Sequence, residues 1–379
     1  MENSREIVLK LIRMALGWET DFSLPSDVCW KDVFDIASDQ GVTAIILDGY
    51  EAYLSNNPQK TSPLSTPENK PLMLQAIGKL NMIEFGYLQH QESLMELSNI
   101  LSKRDIPFIV MKGFACGQYY PIPKHRTCGD IDIYPGDKYN ESIGAIKDIG
   151  IAVDSHYYRH STCMIKDVMI ENHRILCDLR GPRKQTKALE AQLEDEARKS
   201  ILDEKNVVID GVKIVGARYP SANFNALFLP WHVSAHFEFE NVTLRHLLDW
   251  ALFLVNDGHK IDVEMFREAK RKYTYGYSKI SDILTNLSLR YLKMPDASIP
   301  LKIIEDAVNF DDSLADKVFD YMFVGQPRER DTNLWKFRWN NTKRIWQERW
   351  KYKEMYGMGA IRFLLHKLYG VIFQVGEDE

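Results

Sequence analysis

Two aspartates separated by one apolar residue, in Asp130-Ile131-Asp132-Ile133, constrain this chain more than any other feature. Side chains alternate faces along a strand, so Asp130 and Asp132 project to one side while Ile131 and Ile133 enter a core. Carboxylates held a few ångströms apart repel one another unless a cation lies between them. An all-oxygen site suits Mg²⁺ (or Mn²⁺), which keeps waters and phosphate oxygens as its other ligands. Upstream, Phe108-Ile109-Val110-Met111 reads as a short buried strand ending at Lys112-Gly113, seventeen residues before Asp130. Glycine at a strand-to-helix junction lets backbone N–H groups approach an anion, and a following helix N-terminus favours negative charge. The pattern points to chemistry on phosphate groups.

A third carboxylate would complete such a site, since two-metal transfer activates the attacking oxygen at one ion and steadies phosphate oxygens at the other. Residues 168–173 read as a strand, from which Glu171 would face the aspartate pair, with Asp178 as the fallback. The competing reading makes Glu171 an acid on an edge strand and the aspartates a solvated turn. Lys112 would bring a point charge to a phosphate. Arg126, with Lys124 and His125 beside it, would reach one from just before the carboxylate strand. As ordinary loop cations they would do neither.

Lys112-Gly113, Tyr119-Tyr120-Pro121, Arg126 and Gly129-Asp130-Ile131-Asp132 together resemble a family of uncharacterised bacterial nucleotidyltransferases in the polymerase-β-like nucleotidyltransferase superfamily. Its members read LKG, YP, R and GDIDLLV in that order. Ile170-Glu171-Asn172-His173 resembles its I-E-L-H strand, and residues 232–252 resemble a later helical segment with a histidine pair, an Arg and an Asp. The resemblance spans residues 30–255, most specifically at its centre. It implies an α+β fold and a metal-dependent enzyme that moves NMP from an NTP to an acceptor hydroxyl or phosphate, releasing pyrophosphate. It also implies catalytic and metal-holding roles for Asp130, Asp132 and Glu171, with Glu171 helping to activate the nucleophile, and a nucleotide cradle of Lys112, Gly113 and Arg126. The superfamily usually follows its glycine with Gly or Ser. Here Phe114 stands in that place, so one phosphate contact is missing or replaced.

The 379-residue chain, 45% hydrophobic and 27% charged, has the composition of a globular protein with room for several modules. Its net charge of −5 argues against a whole-surface nucleic-acid binder. Five cysteines without C-x-x-C spacing give no zinc site or disulfide framework, and a reducing cytoplasm is the simplest setting. The sequence offers no signal-peptide core and no apolar run of bilayer length. Helical periodicity dominates both ends, giving a helical region over 1–104, a small mixed-sheet nucleotidyltransferase-like core over 105–219 and a helical region over 220–379. Residues 71–103 read as one helix, with Leu74, Ile77, Leu80, Ile83, Tyr87, Leu94, Leu97 and Leu101 inward. Asp210-Gly211 predicts a hairpin, and residues 186–202 a charged, exposed helix.

His232 and His236 stand one turn apart. That spacing can hold zinc, but Val233 replaces the glutamate a metalloprotease would need, leaving packing or support of a nucleotide pocket. Arg245 and Asp249, four apart, predict a salt bridge or an anchor holding that helix under the site. Residues 333–370 carry nine Lys or Arg against Glu348 and Glu354, and one helix would align Trp335, Trp339, Trp346 and Trp350. Core packing, a stacking surface for RNA and a membrane-facing stripe all fit, with packing favoured. Two other functions compete with the transferase: a non-catalytic scaffold with a degenerate core, and a metal-dependent glycosyltransferase. The hundred helical residues preceding the strands count against the latter.

Overall fold

A computed structural model describes residues 2–25, 27–59, 62–177, 182–203, 205–239, 241–324, 334–359 and 361–363. Three helices open the chain: α1 (Glu2–Ala15), α2 (Trp30–Asp39) and α3 (Thr43–Asn56). Helices α1 and α3 meet where a Cβ built on Gly49 would stand 1.8 Å from the Leu11 carbonyl oxygen, so this close approach depends on glycine. The long helix α4 (Lys70–Ser102) follows. Its buried side carries Ala76, His90, Leu94, Leu97 and Leu101, whereas Leu74 is 61% and Ile77 38% exposed. The predicted stripe is therefore off by a residue or two over the first turns. Ala76 faces inward there, with Leu72 and Met73 packed against the core.

The mixed core then threads β1 (Phe108–Met111), the single turn α5 (Lys112–Cys116), β2 (Asp130–Tyr134), α6 (Tyr139–Asp148), β3 (Val153–Asp154), β4 (His160–Ile165), β5 (Val168–His173), α7 (Arg183–Leu202), β6 (Asn206–Ile209) and β7 (Val212–Arg218). The strands form one sheet in the order β3-β4-β5-β2-β1-β7-β6. Strand β2 lies between β1, antiparallel to it, and β5, parallel to it. The expected hairpin joins β6 and β7, with Asp210 and Gly211 at φ 48° and 81°, the left-handed pair a two-residue turn needs. Helix α7 is less exposed than its charge suggested, because Leu189, Leu193 and Ala197 are buried to 1% or less.

Alternation along the strands divides the core. Phe108, Val110, Ile131 and Ile133 pack with Leu94, Leu97, Ala145 and Ile146 from α4 and α6. Ile109, Met111 and Tyr134 face the opposite way, into an apolar cluster shared by the N-terminal helices and the helices that follow the sheet. Those are α8 (Ala222–Phe239), α9 (Leu244–Asp257), α10 (Val263–Lys272), α11 (Tyr277–Tyr291), α12 (Leu301–Val308), α13 (Asp312–Met322), α14 (Leu334–Gln347) and α15 (Arg349–Tyr356). The result is an α+β molecule with helices on both sides of the sheet. Among the described residues, no helix is long and apolar enough to cross a membrane.

The predicted tryptophan helix is broken at Glu348 into α14 and α15. The side chains of Trp335 and Trp339 lie outside the described residues. Trp346 is 54% exposed, while Trp350 packs on Phe237 and Tyr321 with ring centroids 6.3 and 5.9 Å away. Tyr356 donates its hydroxyl hydrogen to the Ser234 carbonyl at 2.6 Å. Packing against α8 and α13 thus accounts for α15.

Candidate active site

The acidic face of β2 is the face opposite Ile131 and Ile133. Parallel pairing sets Asp132 directly beside Glu171 of β5, so period-two geometry brings Asp132 and Glu171 to the same side. A carboxylate oxygen from each of Asp130, Asp132 and Glu171 lies within 4.8 Å of the others. Strand β5 is an interior strand, between β2 and β4, so Glu171 is not an edge-strand surface acid. Asp178 lies outside the described residues.

Lys112 and His173 hold this cluster together. Lys112 Nζ is 2.9 Å from Asp132 Oδ1, and His173 Nε2 is also 2.9 Å from that oxygen. His173 Nε2 is 3.3 Å from Glu171 Oε2, and His160 Nε2 of β4 is 3.7 Å from Glu171 Oε1. Burial opposes the charge on Asp132, but Lys112 and His173 outweigh it and hold the carboxyl well below its usual range. Burial likewise opposes the charge on Glu171, and the His173 hydrogen bond reverses the balance, lowering its pKa. On Asp130 the balance goes the other way: burial, then the Asp132 charge, outweighs the pull of Lys112 and raises its pKa. The buried Lys112 and His173 remain raised because the surrounding acids overcome desolvation.

These donors fit a divalent cation. The second oxygen of Asp132, Oδ2, is buried without a hydrogen-bond partner, and three carboxylates converge on one spot. Such orphaned acceptors need a partner, and oxygen donors of this kind suit Mg²⁺ or Mn²⁺. Lys112 stands over Asp132 from a backbone at φ 33°, a left-handed conformation uncommon for a lysine.

A cavity of about 360 Å³ opens on this face, with Lys112, Gly113, Asp130 and Arg126 on one side and His232 and His246 on the other. Arg126 reaches the cavity wall with its guanidinium committed to Asp249: Nε donates to Oδ1 at 2.9 Å and Nη2 to Oδ2 at 2.6 Å. Tyr120 donates to the same Oδ1 at 2.8 Å. Asp249 therefore pairs with Arg126 and not with Arg245 as its i,i+4 spacing suggested. Arg245 donates instead to the Thr127 carbonyl at 3.3 Å. Lys124 and His125 turn away from the cavity altogether. His125 lies 2.8 Å from Asp48 of α3 and 2.9 Å from Glu84 of α4, and Lys124 is 3.0 Å from Glu84. They anchor the loop ahead of Arg126 to the N-terminal helices. The turn after Gly113 is short, since α5 spans five residues before the chain enters the Gly117–Tyr119 turn.

Two contributors were not assigned from sequence, His160 and His173. His173 follows Glu171 by two residues, so the alternation that aligns the aspartates also aligns this pair. Nothing local marks His160, which pairs opposite His173 across β4 and β5.

An α+β core whose central strand bears two acids, with a third acid on the neighbouring strand and a cation-lined cavity beside them, is the arrangement of a nucleotidyltransferase domain. Residues 26–277 match the family model described as "Uncharacterised nucleotidyltransferase", and the chain belongs to that family. It is accordingly a transferase. No curated protein and no solved structure matches the chain.

Proposed function

We propose that this protein is a divalent-metal-dependent nucleotidyltransferase that moves NMP from an NTP to a hydroxyl or phosphate of an acceptor, with release of pyrophosphate. The observation that carries the proposal is the convergence of Asp130, Asp132 and Glu171 around a buried, unpartnered Asp132 oxygen. These three residues would hold the metal, Mg²⁺ or Mn²⁺, which when bound would neutralise phosphate oxygens and the leaving pyrophosphate. Glu171, kept ionised by His173, would accept the proton of the attacking hydroxyl. Lys112 would swing from Asp132 toward the phosphates, and Gly113 would leave its backbone open to them. Arg126, paired with and fixed by Asp249, would hold the cavity wall beside the nucleotide without moving. Catalysis on this reading is positioning and charge neutralisation.

A second reading, a non-catalytic binding core, draws on one observation: the Lys112 ammonium already neutralises Asp132. Calorimetric titration of each NTP with Mg²⁺, using wild type and Asp130→Asn/Asp132→Asn, tests the site, and pyrophosphate release assayed over a panel of acceptors separates the two. Metal-dependent binding by the wild type and its loss in a folded double variant support the transferase. If the folded wild type binds none of the four nucleotides with either Mg²⁺ or Mn²⁺, the transferase reading fails.

A further inference from the structure

Across the cavity from Asp130, His232 and His236 project from α8 and His246 joins them from α9. A ring nitrogen of each lies within 4.8 Å of the others. Ring centroids are 4.4 Å apart for His232 and His236, and 5.4 Å apart for His236 and His246. We propose that these three histidines form a second metal site, for a transition ion of the zinc class, with its fourth position open to the cavity. The site stands on different residues from the carboxylate cluster and does not depend on the reading given above.

The donor set selects the ion. Three imidazole nitrogens suit zinc, cobalt or nickel and are a poor match for Mg²⁺, which takes oxygen. Tetrahedral zinc with Zn–N bonds of ~2.1 Å spaces its nitrogens roughly 3.4 Å apart. A small inward rotation of the three rings reaches that spacing. Ligation requires neutral imidazole. Burial first, then the charges of Lys112 and Arg245 respectively, keeps the pKa values of His232 and His246 well below the usual histidine value.

Two details bear on loading. His246 Nδ1 faces Thr243, which donates its backbone N–H to it at 3.1 Å and sets its hydroxyl 3.0 Å away. Nε2 is therefore the ligating nitrogen. Loading would shift the ring proton to Nδ1, trading the capping bond for one to the Thr243 hydroxyl. The nearby cations Lys112 and Arg126 are each balanced, by Asp132 and Asp249. Among the described residues Arg245 and Arg159 have no acidic partner, so an anionic oxygen at the fourth position would offset part of the positive charge there.

The full-length protein, stripped with a chelator, is titrated with Zn²⁺ by calorimetry and with Co²⁺ while its visible spectrum is recorded. One zinc per chain and a tetrahedral cobalt spectrum are expected. Both should vanish in His232→Gln and in His246→Gln and persist in Asp130→Asn/Asp132→Asn. X-ray absorption of zinc-loaded wild type, which needs no variant, should report a shell dominated by imidazole nitrogen. Wild type without saturable zinc binding, an oxygen-dominated shell, or binding that survives both histidine variants would each overturn the proposal. Loss of zinc in the aspartate variant would do so too, assigning the ion to the carboxylates with His160 and His173.

Discussion

Replacing Asp249 with asparagine should destabilise this protein far more than removing any surface ion pair. Asp249 and Arg126 are each 6% exposed, and the carboxylate accepts two guanidinium hydrogen bonds and one from Tyr120. Deleting one partner of a buried pair leaves the other charge uncompensated, at about 3–5 kcal/mol. Asparagine keeps the shape and one acceptor oxygen but turns an amide donor toward a guanidinium N–H, which places Asp249→Asn near 3 kcal/mol at the low end of that range. Asp249→Ala also strands the Tyr120 hydroxyl, adding about 1 kcal/mol. Lys31 and Asp35, an exposed i,i+4 pair that solvent screens, set the contrast, and breaking it should leave the midpoint almost unchanged. Equilibrium urea unfolding followed by circular dichroism measures the loss. With m on the order of 3 kcal/mol/M, Asp249→Asn should lower the midpoint by about 1 M. Arg126→Met/Asp249→Leu should recover most of it, because neither charge is then buried. A midpoint shift below about 0.3 M for Asp249→Asn, at unchanged m, would refute the reasoning.

Three further outcomes follow from the same structure. Gly49→Ala should lower the thermal midpoint, since the new methyl meets the Leu11 carbonyl and overpacking of about 1–3 kcal/mol outweighs the helix-propensity gain of about 1 kcal/mol. Glu190 accepts the Leu176 and Cys177 amides, yet burial raises its pKa to about 7. Its folded pKa exceeds its unfolded one, so its contribution is complete below about pH 4.5 and is lost as pH rises toward 7. Glu190→Gln should flatten the unfolding free energy across that window, and an unchanged slope counts against this assignment. Asp130→Asn should raise the midpoint of metal-free protein by removing a charge that burial and Asp132 both disfavour, while abolishing any Mg²⁺-induced stabilisation. Differential scanning calorimetry with and without Mg²⁺ reads both halves, and a destabilised metal-free variant contradicts the prediction.

The parts legible in the sequence are those governed by local period. Alternation at two residues placed Asp130, Asp132 and Glu171 on one face, and it held for Ile131 and Ile133 beneath α4. Helical period located α4 but misplaced its first turns, where the small Ala76 is buried and Leu74 and Ile77 are exposed. The parts that escaped are long-range choices among competing partners. Asp249 had an arginine four residues away, yet pairs with Arg126, 123 positions distant in sequence. His125 and Lys124 read as added positive charge beside Arg126, or as ordinary loop cations. Acids on α3 and α4 claim them, and no spacing in the sequence announces that. The tryptophan stripe assumed one continuous helix, and the break at Glu348 dissolves it.

The charge arrangement also bears on why the acidic cluster survives folding at all. Three carboxylates on one buried sheet face would be prohibitive if each kept its charge without a partner. Here Lys112 and His173 both reach Asp132, His173 also reaches Glu171, and Asp130 alone of the three carries a raised pKa. The carboxylate with the raised pKa is also the one of the three that lines the cavity, where an arriving cation would meet it first. Lys112 adds a left-handed backbone to this picture, a conformation that non-glycine residues hold only when their surroundings enforce it. Its ion pair with Asp132 links cavity to cluster. A phosphate able to draw Lys112 away would uncover Asp132, so on the proposed reading nucleotide and metal favour one another's binding.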